Sequence, residues 1–416
     1  MTILCSVVSP WYRLGMMHPE SRIGNVLRNG SLHRRILLPL LAVLWLVVPV
    51  KSPFGAGDTP LSTPALRGDV AKKLEVFLDR FVTFAPGRKI TFQRDGRPCP
   101  TGFMLIRYSI KSATPAFDRT SALLLSDDGK SVFAGHAISL AENATDIRDA
   151  RGPEKLSLYF SQKAGSTMKV SWGSSPGPGG AFQAKILAAS PVGDVESPGA
   201  LSRDGKWFLF GTFFPLNQDP RCERMSRLAL EGRVALGRQN APVTVVEISD
   251  FQCSSCAELQ PVLEALLSKY ASQIRLVRVD LPQWQAHDWA MKAAEWGHCV
   301  GQIAPSAYWS FTRAVFLRQR DVTSANFDSL MNPVIQSLGL QPRGFDECCR
   351  RGSTNEAVLK DLKRVAAAGL SGTPTLLVNG MLLDTNVGEV LEPALIQVLK
   401  GQPRCAEKSA QRKEGL

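Results

Sequence analysis

Histidine is scarce in this chain, five in 416 residues, and none stands at metal-ligand spacing from the nine cysteines. A zinc site would require Cys348-Cys349, His287 and His298 to converge on Cys253 and Cys256; adjacent cysteines with scattered histidines are poor zinc spacing, so no metal is expected. No organic cofactor is implied. Arginine is spread without aromatic interleaving, which argues against a nucleic-acid partner. Acidic residues are outnumbered, 37 against 49 Lys and Arg, for a net charge of +12. Much of that excess sits in the N-terminal arm and in residues 402–416, where Arg404, Lys408, Arg412 and Lys413 stand among few apolar side chains. Ordinary solubility accounts for it better than an anionic surface, and the tail reads as disordered.

Long apolar runs are also lacking. Ile36–Val50 is interrupted only by Pro39 and Pro49, yet at about fifteen residues it falls short of a typical membrane span and fits a signal-peptide core. His33-Arg34-Arg35 precedes it and no acid follows Glu20 before it, the pattern of an exported chain. Cleaved signal and uncleaved anchor both remain open, since no clean small-x-small site follows. Residues 1–57 are therefore an N-terminal arm plus signal or anchor. Translation from Met16 or Met17 would shorten a long leader.

What the chain does contain is Cys253-Ser254-Ser255-Cys256, after the strand-like Val243–Ser249 and at the start of a helix-like stretch, Ala257–Tyr270, carrying Pro261. A thiol in the first turn of a helix meets unsatisfied N–H groups and the positive end of the dipole, which favour thiolate. Cys253 is the candidate nucleophile. Cys256, one turn on, can attack a mixed disulfide at Cys253 and release the partner. Glu247, on an otherwise apolar strand, is expected beneath this helix, where burial raises its pKa and lets it take the Cys256 proton. Downstream, Gly372-Thr373-Pro374-Thr375 enters a strand, Leu376-Leu377-Val378, followed by the turn Asn379-Gly380. A Thr-Pro pair so placed suits a cis proline; Thr373 and Pro374 would then offer backbone to an extended peptide beside Cys253.

In this order, strand, C-x-x-C helix, strand, helical stretch and Thr-Pro strand, residues 237–401 resemble the DsbA-like branch of the thioredoxin superfamily. The resemblance also rests on Asp250-Phe251-Gln252 before the motif and on Tyr308, Trp309, Phe311 and Phe316. It implies an α/β thioredoxin fold with a helical insertion and a protein thiol-disulfide oxidoreductase. The implied partners are cysteine-containing exported proteins, with a membrane redox partner resetting the dithiol. Some such relatives carry a second, structural disulfide, which would fall here on Cys299 and Cys348. Cys349 could replace Cys348 or join Cys405; Cys99 and Cys222 could pair or stay apart. The location implied is periplasmic or extracytoplasmic, in keeping with nine cysteines, with anchoring to the inner membrane through residues 36–50 left open. With serine at both intervening positions, and neither the His nor the Pro of strongly biased relatives, oxidase, isomerase and reductase directions all stay open.

Upstream, Ser126-Asp127-Asp128-Gly129-Lys130 and the strand running to Gly135 return about 76 residues later as Ser202-Arg203-Asp204-Gly205-Lys206 and a strand to Gly211. Each copy is a turn and strand preceded by helix-like Val70–Phe84 or Pro153–Gln162 and further strand-like pieces. Two small α+β modules are expected, at 66–148 and 149–225. The signature resembles the N-terminal domain of DsbC- and DsbG-type isomerases, which dimerises through edge strands; two copies in one chain could pair with each other. The alternatives in function are a peptide-binding chaperone or disulfide isomerase whose modules hold clients, and a reductase dedicated to one partner protein.

Overall fold

The computed structural model describes residues 4–7, 66–83, 89–113, 116–140, 151–350, 352–383, 387–400 and 405. The apolar segment 36–50 lies outside them, as does the tail but for Cys405; no helix among the described residues is long and apolar enough to cross a membrane.

The N-terminal elements are β1 (Leu4–Val7), α1 (Gly68–Phe81), β2 (Val82–Thr83), β3 (Lys89–Arg94), β4 (Phe103–Ala113), β5 (Ala116–Ser126) and β6 (Ser131–Ser139). There follow α2 (Gly152–Ala164), β7 (Met168–Pro176), β8 (Phe182–Ala188), β9 (Val195–Leu201) and β10 (Trp207–Pro215). Eight of these strands lie in the order β3-β4-β5-β6-β10-β9-β8-β7, with β1 also paired to β6. That order reads as one four-strand set followed by its mirror. The two repeats therefore meet through their last strands, antiparallel, with Gly135 opposite Gly211 and Phe133 opposite Phe213. Since Gly135 and Gly211 are equivalent positions of the repeat, a local two-fold runs between them. No side chain fits there: a Cβ on Gly135 would lie 2.1 Å from the Phe210 carbonyl oxygen and one on Gly211 2.2 Å from that of Ala134. The turns repeat bond for bond. Ser126 Oγ donates to Asp128 Oδ1 and Ser202 Oγ to Asp204 Oδ1, each at 2.6 Å, while the serine hydroxyls accept the N–H of Ser131 and Trp207, each at 3.0 Å. Such side-chain bonds pin the glycine turns that launch β6 and β10.

Helix α3 (Pro220–Leu228) leads to the second unit: β11 (Ala235–Gly237), β12 (Val243–Ser249), α4 (Ser254–Lys269) and β13 (Ile274–Asp280). Then come the helices α5 (Ala290–Ile303), α6 (Tyr308–Arg318), α7 (Phe327–Ser337), α8 (Pro342–Arg350) and α9 (Ser353–Ala367), and finally β14 (Thr375–Val378), β15 (Met381–Leu383) and α10 (Val387–Leu399). The sheet order is β11-β13-β12-β14-β15-β2, with β12 and β13 parallel and β14 antiparallel to β12. Its outer strand is a correction to the expected helix Val70–Phe84. The helix stops at Phe81, and Val82 and Thr83 cross to pair in parallel with Leu382 and Leu383. Two β-branched residues suit a short strand, and they cover an edge that would otherwise be open.

The units share one continuous core in which Leu74 and Phe81 of α1, Val358, Leu362 and Val365 of α9, and Val246 and Ile248 of β12 are joined. A disulfide links Cys222 of α3 to Cys405, across a sequence separation of 183. Cys405 is thus unavailable to Cys349, and Cys222 does not pair with Cys99; both Cys99 and Cys349 are free thiols. A second apolar cluster, built by Phe251, Trp289, Trp296, Phe311 and Phe327, closes over Cys256. Within it Cys299 of α5 and Cys348 of α8 form a disulfide, Cα to Cα 5.9 Å.

Candidate active site

Helix α4 begins at Ser254, with Cys253 in the N-cap position. The Cys253 carbonyl accepts the N–H of Cys256 at 3.1 Å and of Ala257 at 3.2 Å, so the helix starts on the nucleophile itself. Cys253 is half-buried and Cys256 is 0% exposed. Hydrogen bonding from the Cys256 thiol, helped by Thr373, holds the Cys253 thiol down to about 6 against burial and the Asp250 charge. Burial first, then the neighbouring Cys253 and Glu247, push the Cys256 thiol well up. The two sulfurs are thereby differentiated: one half-buried and ionised near neutral pH, one fully buried and protonated.

The Thr373-Pro374 peptide is cis, and the Thr373 carbonyl lies 3.7 Å from Cys253 Sγ. Thr375, at the head of β14, donates its hydroxyl to the Gly372 carbonyl at 2.7 Å, fixing the loop that presents this backbone to the sulfur.

Glu247 is completely buried, and its neighbours differ from the apolar setting expected for it. Its Oε1 accepts Gln260 Nε2 at 2.9 Å, from the next turn of α4, and faces Arg278 Nη1 at 3.5 Å. Arg278 is itself buried; it donates to Ser249 Oγ at 2.8 Å and to Asp280 Oδ1 at 3.1 Å, and stacks 4.0 Å above the Phe251 ring. Desolvation works against the cation, but Asp280 and Glu247 more than offset it and raise the pKa of Arg278. Glu247 Oε2 carries no hydrogen bond, so one carboxylate oxygen is left to receive a proton. Arg278, between Val277 and Val279 on the strand Ile274–Asp280, was the sequence signal for this pair.

The loop ahead of the motif is built by Asp250, 1% exposed. Its carboxylate accepts the N–H of Gln252 at 2.7 Å and of Gln283 at 2.8 Å, and its Oδ2 is 2.6 Å from His287 Nδ1. From the helical insertion, Gln319 donates to the Phe251 carbonyl at 2.8 Å and the Cys253 carbonyl at 2.9 Å. Sequence reasoning did not reach these three roles. An acid three residues before Cys253, at the end of an apolar strand, was a usable hint for Asp250; Gln319, distant in sequence and of ordinary type, offered none.

Behind Arg278, the donor atoms of Asp280, His298 and Asp361 lie within 4.8 Å of one another, the geometry of a possible cation site among the described residues. Its charge is already met. Arg233 pairs with Asp361 and Arg278 with Asp280, and Asp361 stays at about 2 in spite of burial through His298 and Arg233. A metal would have to displace guanidinium partners from buried carboxylates, an expensive exchange.

Residues 229–392 match the family model described as Thioredoxin. This part of the chain has a thioredoxin-like fold. Over 199 residues, 46% of its length and 90% of the relative, the chain is 25% identical to "Probable disulfide bond formation protein D" of Bacillus anthracis. It is also 32% identical over 146 residues to "Na(+)/H(+) antiporter NhaA 3" of Salinispora tropica, a match covering 35% of this chain and about a fifth (21%) of that protein's length. Among solved structures, BdbD of Bacillus subtilis in its oxidised form is similar at 22% identity and a TM-score of 0.39, over 41% of this chain and 95% of that one. Within the matched residues, α4 packs on the sheet of β12, β13 and β14, and α5–α8 form a helical insertion after β13.

Proposed function

We propose that the chain is an extracytoplasmic protein thiol-disulfide oxidoreductase. The observation that carries this reading is the pairing of a Cys253 thiol held at about 6 with a buried Cys256 thiol pushed well up, beside a cis Thr373-Pro374 backbone. In exchange, the Cys253 thiolate attacks a client disulfide, forming a mixed disulfide and releasing one client thiolate. Cys256, deprotonated as Glu247 Oε2 receives its proton, then attacks Cys253 Sγ and expels the second client thiolate; the product is the Cys253–Cys256 disulfide and a reduced client. Run backwards, the same steps oxidise a client dithiol. Likeness to a probable disulfide bond formation protein of Bacillus anthracis favours that oxidising direction.

Two disulfides among the described residues support an oxidising compartment. Thr373 and Pro374 serve as the peptide edge, cysteine-containing exported proteins as clients, and a membrane redox partner as the means of resetting the dithiol. The segments 66–148 and 149–225 act as paired α+β modules that carry the thioredoxin domain.

Trapping tests the reading. With Cys256→Ser, mixed disulfides through Cys253 should accumulate on exported proteins and vanish on adding Cys253→Ser; a Cys256→Ser chain that traps nothing overturns the proposed activity. The reduction potential of the dithiol then sets direction, about −120 mV indicating an oxidase and about −270 mV a reductase.

A further inference from the structure

Asp250 has two effects that oppose each other. Its carboxylate builds the loop through Gln252 and Gln283, and its carbonyl accepts the Cys253 N–H at 3.2 Å. The same carboxylate is a buried negative charge three residues from a sulfur that must be anionic to react, which Coulomb repulsion disfavours. No cation stands inside the motif, where both intervening residues are serine. The neighbouring cation is outside it, in the 283–289 loop. There, Gln252 Nε2 donates to Asp288 Oδ1 at 2.9 Å and Gln252 Oε1 accepts the Trp289 N–H at 2.9 Å. This lacing holds His287 Nδ1 at 2.6 Å from Asp250 Oδ2, with 27% of the imidazole exposed.

We propose that His287 is a positioning residue of the dithiol centre, carrying a positive charge that cancels Asp250, so that the carboxylate that shapes the loop does not suppress the Cys253 thiolate. The inference rests on the reading of Cys253 as the attacking thiol. The charged groups around His287 are Asp250, Asp288 and Cys253; the hydrogen bond to Asp250 first, then the Cys253 and Asp288 charges, raise its pKa. Around Cys253 stand Cys256, Thr373 and Asp250, with Asp250 acting to raise it, while Glu247 and Arg278 lie toward Cys256.

The test is the pH dependence of iodoacetamide alkylation of Cys253 in the reduced full chain, located by peptide mass mapping. His287→Gln should move the midpoint up by about one pH unit, a roughly fivefold slower reaction at pH 6 that approaches tenfold at lower pH. His287→Gln combined with Asp250→Asn should return it toward the parent value, because the charge to be cancelled has gone. A purely structural histidine predicts the reverse, two lesions at least as damaging as one. A parent-like midpoint in folded His287→Gln, or a double variant that is not rescued, overturns the proposal. Should these variants not fold, NMR titration of His287 in the parent chain decides: imidazolium must persist above the Cys253 midpoint, and a histidine that loses its proton below that midpoint overturns it. These readouts use the resting thiol and no client. Normal titrations with no trapped clients would therefore sink the proposed activity and leave this inference standing, and trapped clients with unmoved titrations would do the opposite.

Discussion

Cys253 ionises about three units below the 9.0 of an ordinary cysteine, and that difference has a signed consequence for stability. Between roughly pH 6 and pH 9 an unfolded chain holds this proton and the folded reduced chain does not, so folding gains stability as pH rises through the window. The contribution is complete above the unfolded value and lost as pH falls through 6. Reduced parent protein should therefore gain melting temperature relative to Cys253→Ser as pH is raised from 6 to 9; a constant difference would contradict a lowered thiol. The place of Cys253 at the head of a helix was legible in the sequence because a C-x-x-C follows a strand and precedes an apolar helical pattern, and the same spacing brings Cys256, whose thiol does most to lower the Cys253 pKa, within reach. The surroundings of Glu247 were not, because a strand's alternation shows which residues face inward but not which partner, here Arg278, crosses from the neighbouring strand to meet them.

At the scale of elements, the β6–β10 pairing depends on two glycines that face each other. A methyl at Gly211 meets the Ala134 carbonyl oxygen at 2.2 Å, and backbone cannot swing aside as a flexible side chain can. Gly211→Ala should cost about 1–3 kcal/mol in denaturant unfolding, as overpacking does. Gly344→Ala, in helix α8 where a new Cβ meets nothing within 4 Å, should be neutral or mildly stabilising. The repeat turns and the strands launched from them were readable from their Asp-Gly-Lys spacing, and their helices were located to within a few residues. That β6 and β10 join the repeats into one sheet followed from nothing local. Nor did the escape of Val82 and Thr83 to the other sheet, since a two-residue strand carries too little pattern to be separated from a helix end.

Across the molecule, the N-terminal sheet and the thioredoxin domain are bound by more than apolar contact. Arg224 of α3 is fully buried where they meet, donating to the Phe81 carbonyl at 3.2 Å and the Gly380 carbonyl at 2.6 Å, with its guanidinium 4.2 Å from the Phe81 ring. Burial, and then Arg227, bring its pKa down to about 9. The Cys222–Cys405 bond ties the same helix to the end of the chain. Cys222→Ser should lower unfolding free energy by about 2–5 kcal/mol, as expected for a crosslink closing a long loop, while the Cys253 alkylation midpoint stays put; a shifted midpoint would mean that the crosslink reaches the dithiol. Neither feature was legible, since a cysteine pairing between residues so far apart is decided by the finished fold.

The mirrored order of the larger sheet has one further consequence, in mass action. Two sheets that pair across separate chains come apart on dilution, whereas here both partners of the β6–β10 seam are covalently joined by the segment between them. The seam forms at an effective concentration set by that connection and not by the amount of protein, so its integrity is the same in a dilute compartment as in a crowded one.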